Sequence, residues 1–168
     1  KAAEKTPAEE AEDSYRNASK EEENLADEVS KKQNRLDALE QEKEKAEEAM
    51  KDACADDPDG ALCEAYKKQV DSYNDMISSA EDDLEKTKQQ HEDAKAESDK
   101  QKEEMLNKQK EETEKALKEA EEAQEEACKD PSSAECAEAI KKVNEETNKL
   151  VDIVEQQNPD TDEGKGEG

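Results

Sequence analysis

The residues of this 168-residue chain best able to do chemistry are its cysteines, because thiols form disulfides or bind metal ions. They occur as two pairs along the sequence: Cys54 and Cys63, then Cys128 and Cys136. Zinc ligands are usually separated by about two to four residues, whereas the members of each pair lie farther apart. The spacing therefore favours two local disulfides, with a zinc site or reduced thiols as the alternatives. Because disulfides persist in oxidising compartments, we expect a secreted or secretory-granule protein.

Each cysteine pair belongs to a duplicated segment. The motif Ala-Glu-Glu-Ala, followed after three residues by Ala-Cys, occurs at 46–54 and again at 120–128. An Asp-Pro dipeptide follows each motif, and the similarity extends over about 46–77 and 120–150. Since Asp caps helix N-termini and Pro favours the first helical position, we predict that each pair joins the end of one helix to the start of the next.

No catalytic constellation is found in the sequence. His91 is the sole histidine, so a catalytic pair of histidines is excluded, and a polar packing role is favoured over a pH sensor. The acidic loop 56–60 does not fit a calcium-binding EF-hand, because placing Gly60 at position six puts Ala55 at position one. Asn17 begins a glycosylation sequon, but its place within a predicted helix favours a chance match. We predict a non-enzyme with no catalytic, cofactor-binding or defined metal site, and only diffuse, low-affinity calcium binding.

The formal net charge is −26, and 46% of the residues are charged. Such a chain is repelled by nucleic acids and by anionic membrane surfaces. No apolar run reaches the roughly 20 residues of a membrane span. Cations and basic proteins are the natural counterparts of this charge. The partners that we predict are cations and, for helix packing, copies of the chain itself or related acidic helical subunits. With 29% hydrophobic residues, the alternative from composition is disorder.

Apolar periodicity argues against disorder. The predicted helices cover 7–53, 62–127 and 131–157, and an acidic tail that contains glycine covers 158–168. We use "seam" for the row of residues, spaced alternately three and four apart, that faces a partner helix. In the first helix it contains Tyr15, Ala18, Glu22, Leu25, Val29, Lys32, Leu36, Leu39, Lys43, Ala46, Met50 and Ala53. In the next helix it contains Cys63, Tyr66, Val70, Tyr73, Ile77, Ala80, Leu84, Thr87, His91, Ala94, Ser98 and Gln101.

The two seams match when residues whose numbers sum to 116 are paired, which is the register that the Cys54–Cys63 link imposes. A second register, with a sum of 263, places Ile140, Val143, Thr147, Leu150, Val154 and Gln157 opposite Ala123, Ala120, Ala116, Thr113, Gln109 and Leu106. The middle helix turns its contact face between Gln101 and Leu106, so the first and last helices are expected to overlap beside 105–110. Val151 and Ile153 are expected to face outward, which indicates a further helical partner.

These patterns predict an all-α fold: an elongated antiparallel coiled-coil rod of two end-to-end helical hairpins that share one long central helix, with a disulfide at each tip. The whole of 1–157 would form a single rod. A bend near Ser98 would instead produce a compact four-helix bundle. Because the middle helix contains neither Gly nor Pro, the rod is favoured.

The small size, the acidity, the heptads and the cysteines together resemble the matrix proteins of ciliate extrusive organelles, the trichocysts and mucocysts. This resemblance implies a helical polypeptide that packs into a secretory-granule lattice and responds to calcium. We therefore expect a structural subunit of an extracellular or granule filament or lattice, which assembles by helix packing once calcium or acid neutralises its carboxylates. The alternative is a secreted helical binding module: a ligand, an adhesin spacer or a low-affinity calcium buffer.

Overall fold

The computed structural model describes residues 4–159 and is all-helical over that range, as the sequence predicts. Helix α1 covers Pro7–Asp56, α2 covers Ala61–Ala127 and α3 covers Ala134–Gln157. The start of α1 carries a capping box: the backbone N–H of Glu9 donates to Thr6 Oγ1, and the N–H of Thr6 donates to Glu9 Oε1. These bonds satisfy N–H groups that have no partner within the helix.

The described residues divide into two compact units, one within 4–18 and 97–159 and the other formed by residues 19–96. Helix α2 contributes residues to both units. Within the described range, twelve apolar side chains are buried, which is a thin core for a chain of this length.

The core of the 19–96 unit follows the predicted seams. Leu36, Ile77 and Leu84 are buried together, with Val29, Leu39 and Ala80 packed against them. Between 61 and 96 the residues that are not exposed are those of the predicted seam and no others. Every predicted seam position between 19 and 53 is also buried or half-buried. Leu36 with Ala80 and Leu39 with Ile77, two pairs of the 116 register, lie in this one cluster.

In the other unit, segments of all three helices meet. Met105 and Leu106 on α2 and Ile153 on α3 form a buried cluster, against which Ala11 and Tyr15 of α1 pack. Adjacent residues of α2 lie about 100° apart round the helix, so burial of both fits a stretch that is covered by two other helices. The first and last helices therefore overlap at the stretch that the sequence indicates.

The predicted start of α3 at the second Asp-Pro dipeptide is wrong, whereas α2 begins within one residue of the predicted position 62. Helix α2 begins at Ala61 and α3 begins at Ala134, while Pro58 and Pro131 lie in the preceding turns. In the second turn the Asp130 carboxylate accepts bonds from the backbone N–H and the hydroxyl of Ser132, so it stabilises the turn and does not cap α3. Helix α1 also extends three residues beyond the predicted end, to Asp56.

The predicted seam of α3 is wrong at every second position. Ile140, Thr147 and Val154 are exposed, whereas Ala139, Glu146 and Ile153 are half-buried or buried. The expectation that Ile153 faces outward is therefore also wrong. The observed seam still has alternating steps of three and four: Cys136, Ala139, Val143, Glu146, Leu150, Ile153 and Gln157.

Relative to the predicted seam, α3 is rotated about its own axis, and the physical reason lies in the side chains that this rotation buries. It brings Ile153 into the cluster with Met105 and Leu106. On α2 the contact face correspondingly includes the half-buried Gln124, while Ala123 is left exposed. Gln157 Nε2 donates a 2.8 Å hydrogen bond to Asn107 Oδ1, so the helices keep close to the predicted 263 register while turning about their axes.

Candidate interaction surface

The four cysteines form two local disulfides, in the pairing that the sequence favours. Cys54 is bonded to Cys63, with 4.7 Å between their Cα atoms, and Cys128 is bonded to Cys136, with 4.6 Å. No free cysteine remains among the described residues. Each bond joins the end of one helix to the first turn of the next, which is compatible with an oxidising compartment.

Backbone and hydroxyl groups hold the turns beneath these disulfides. In the second turn Ser133 caps α3, because its hydroxyl accepts from the backbone N–H of Cys136 at 3.1 Å and donates to the carbonyl of Ala127. In the first turn the N–H of Gly60 donates to the carbonyl of Asp57. A Cβ at Gly60 would lie 2.7 Å from the Asp57 carboxylate, so a larger residue there would require the Asp57 side chain to move.

A buried polar contact crosses between α1 and α2 in the 19–96 unit. Lys32 Nζ donates to Thr87 Oγ1 at 2.7 Å and pairs with the Asp83 carboxylate at 3.2 Å. Thr87 is 1% exposed, and its hydroxyl donates to the carbonyl of Asp83. Since a polar group in a seam is satisfied only in one register, this contact fixes the alignment of the two helices.

Glu146 is a charged residue on the contact face of α3, and its side chain is 5% exposed. Its Oε1 lies 3.2 Å from Lys142 Nζ and 3.3 Å from Lys149 Nζ. Burial by itself raises the pKa of this carboxyl, but the hydrogen bonds from the two lysines outweigh it and lower the pKa below its ordinary value of 4.5. The carboxylate therefore stays ionised and paired within the packed face.

The exposed side of α3 carries a second row with the same alternating spacing, one residue after the seam. We call it the outer row: Ala137, Ile140, Asn144, Thr147, Val151 and Val154, all of them exposed. Ile140, Val151 and Val154 are 41%, 48% and 38% exposed, respectively. The predicted outward position of Val151 is thus observed, but Ile140 and Val154, its large apolar neighbours in the row, are predicted seam residues. Apolar residues in 137–154 follow two overlapping rows with alternating spacings of three and four, and this overlap is the sequence signal from which the outer row could have been found.

On the opposite side of the α2–α3 pair lies a shallow groove of about 420 Å³. We call it the alanine groove, because its floor is formed by four small side chains: Ala120, Ala123, Ala127 and Ala139. Its rim on α3 carries Glu135, Glu138, Lys142 and Glu145. These rim residues come one position before the seam, whereas the outer row comes one position after it. Successive residues turn by 100°, so the groove and the row face opposite sides of the pair.

The other residues that the sequence singled out bring no chemistry together. Among residues 4–159 no cluster of three or more His, Cys, Asp or Glu side chains is arranged to hold a metal ion. His91 is half-buried in the α2 seam, and Asn17 is exposed on α1. Most of the acidic tail, residues 160–168, lies outside the described residues. No described helix is long and apolar enough to cross a membrane. Comparisons with protein-family models, with curated proteins and with solved structures find no match to this chain.

Proposed function

We propose that this protein is a non-catalytic structural subunit, which assembles with copies of itself, or with related acidic helical chains, in an extracellular or secretory-granule compartment. The observation that carries the proposal is the contrast between a thin seam-like core and a formal net charge of −26 for the whole chain. A thin, charged helical chain of this kind offers helix faces on which other helices can pack. The end-to-end coiled-coil rod expected from the sequence, and the likeness to extrusive-organelle matrix proteins, belong to this proposal.

Charge decides when such subunits associate. At low ionic strength like charges repel over about 30 Å, so the chains stay apart. Calcium takes six to eight oxygen ligands, and facing carboxylates from two chains can supply them without a dedicated loop. Acid acts in the same direction, because crowded carboxylates hold their protons more strongly beside like charges. Neutralisation by calcium or by acid is therefore expected to permit assembly.

Sedimentation and light scattering test this proposal. The protein is titrated with calcium up to about 10 mM, beyond the affinity range of weak extracellular sites, at neutral and mildly acidic pH. Magnesium at equal concentration serves as the control for charge screening alone. We expect a reversible rise in mass with calcium or acid, and a return to monomer in chelator at neutral pH. A protein that stays monomeric under all these conditions would be a binding module instead.

A further inference from the structure

The outer row on α3 has the geometry of a helix-packing surface that no described part of the chain covers. Its largest members, Ile140, Val151 and Val154, recur at helical spacing, so they lie in line along one face. From Ile140 to Val151 the row extends about 16 Å at 1.5 Å per residue. Isolated exposed apolar residues need no explanation, but an aligned row of them indicates a surface that packs against another helix.

The alanine groove has the complementary shape. Large side chains pack well where the facing residues are small, and the floor of this groove is made of methyl groups. It lies between α2 residues 120–127 and α3 residues 135–145, a length comparable to that of the row. Ala123 is exposed at its centre, so a side chain from outside can reach the floor.

The groove also continues a face on which a helix already packs. The N-terminus of α1 contacts α2 where the N–H of Ala8 donates to Glu112 Oε1 at 3.3 Å. Eleven residues, or about three helical turns, separate Glu112 from Ala123, so both lie on the same side of α2. Helix α1 therefore covers this side of α2 as far as its own N-terminus, near Glu112. The groove lies farther along the same side of α2, towards Ala127.

We propose that the outer row of one copy of this chain docks into the alanine groove of the next copy. The two surfaces differ and face opposite sides of the α2–α3 pair, so the contact is heterologous. Each docked copy presents a free row or a free groove to a further one, and such contacts build open chains unless the rotation closes a ring. This inference rests on the proposed function and names the faces through which the subunits assemble.

Size and charge define the conditions for this contact. Three partly exposed side chains provide far less than the roughly 800 Å² per partner of a standard interface, so each contact is weak. The rim of the groove carries three glutamates and one lysine, and Asp152 and Glu155 lie beside Val151 and Val154. Mutual repulsion therefore prevents docking until it is screened. At about 1 M NaCl the screening length falls to ~3 Å, which permits docking without calcium.

Complementary variants test the contact by sedimentation in about 1 M NaCl without calcium. The row variant is Ile140→Ser with Val151→Ser, and the groove variant is Ala123→Gln. Each retains one of the two surfaces, so each alone is expected to remain monomeric at concentrations where the parent protein forms oligomers. An equimolar mixture is expected to form dimers and nothing larger, because each dimer lacks a second intact pair of surfaces. Met76→Ser, which removes an apolar residue that is 39% exposed in the other unit, is the matched control and should associate like the parent.

Chemical cross-linking provides a second readout. A short bismaleimide should link Ala123→Cys to Val151→Cys when the two variants are mixed, and should link neither variant to itself. Self-association of the groove variant at the parent's level, or cross-linking of Val151→Cys to itself, would overturn the proposal in favour of row-to-row contact. Helical circular dichroism confirms that each variant is folded.

The two proposals fail in different ways. Calcium-dependent assembly that neither the row variant nor the groove variant changes would refute this contact and leave the proposed function standing. Association in NaCl with the expected variant pattern, but with no response to calcium or acid, would retain the contact and refute neutralisation by calcium or acid as the trigger. A parent chain that stays monomeric in every condition would refute both.

Discussion

Lys32 and Thr87, which are 55 residues apart in the sequence, are joined by a 2.7 Å hydrogen bond across the α1–α2 contact. Thr87→Val keeps the shape of the side chain but leaves the Lys32 ammonium with the Asp83 carboxylate alone. A lost buried hydrogen bond costs about 1 kcal/mol, so we expect the free energy of unfolding to fall by roughly that amount in urea titrations.

Thr147→Val is the matched control for this substitution. The Thr147 hydroxyl also donates to the carbonyl four residues earlier, at 2.8 Å, but its side chain is exposed and bonds to no other helix among residues 4–159. Its effect should stay within about 0.5 kcal/mol, as for most surface changes. Equal losses in the two variants would show that the hydroxyl's bond within its own helix, and not the bond from Lys32, carries the effect.

Glu146 predicts a pH dependence of stability. Its pKa is lower in the folded protein than in the unfolded chain, so its stabilising contribution is complete above about pH 4.5 and disappears as pH falls through the folded value. Glu146→Gln should therefore unfold more easily than the parent at pH 7, by about 1 kcal/mol, since both partner lysines are exposed.

The difference between parent and Glu146→Gln should shrink towards zero in acid, below the folded pKa. Thermal unfolding at neutral pH and at a pH low enough to protonate this carboxyl in the folded protein measures this convergence. Glu145→Gln is the control, because Glu145 precedes Glu146 on α3 but is exposed. A constant difference at both pH values would mean that the carboxylate charge contributes nothing.

Much of the 19–96 unit could be predicted from periodicity, because there the seam positions are also the most apolar ones. In α3 the apolar residues form two overlapping rows, and apolar periodicity alone favours the row with Ile140 and Val154. The structure buries the row with Ile153 and accepts Glu146 inside it, because Lys142 and Lys149 neutralise that carboxylate. Rotation about the helix axis depends on such three-dimensional pairing, which the spacing of apolar residues does not encode.

The start of α3 differs from the prediction for another reason. Asp-Pro is compatible both with a helix N-terminus and with a turn, and local sequence does not separate the two. In the structure Ser133 provides the cap of α3 and also bonds the end of α2, so the cap is chosen by contacts on both sides of the turn.

The capping role of Ser133 can be measured directly. Ser133→Ala removes the oxygen that accepts from the N–H of Cys136, and loss of such a cap typically costs about 1 kcal/mol. Ser132→Ala is the control, since its hydroxyl bonds only to the Asp130 carboxylate within the exposed turn. Hydrogen exchange should rise in the first turn of α3 for the first variant and stay unchanged there for the second.

The two disulfides should stabilise their own units to similar extents. They close loops with sequence separations of 9 and 8 residues, so the chain-entropy model assigns about 2–3 kcal/mol to each. Replacing both members of one pair by Ser removes that bond without leaving a free thiol. Cys54→Ser with Cys63→Ser is expected to increase hydrogen exchange mainly in 19–96, and Cys128→Ser with Cys136→Ser mainly in 97–157. Each double variant is the control for the other. If either one raised exchange equally in both units, the chain would unfold as one cooperative body, and the division into two compact units would have no energetic counterpart.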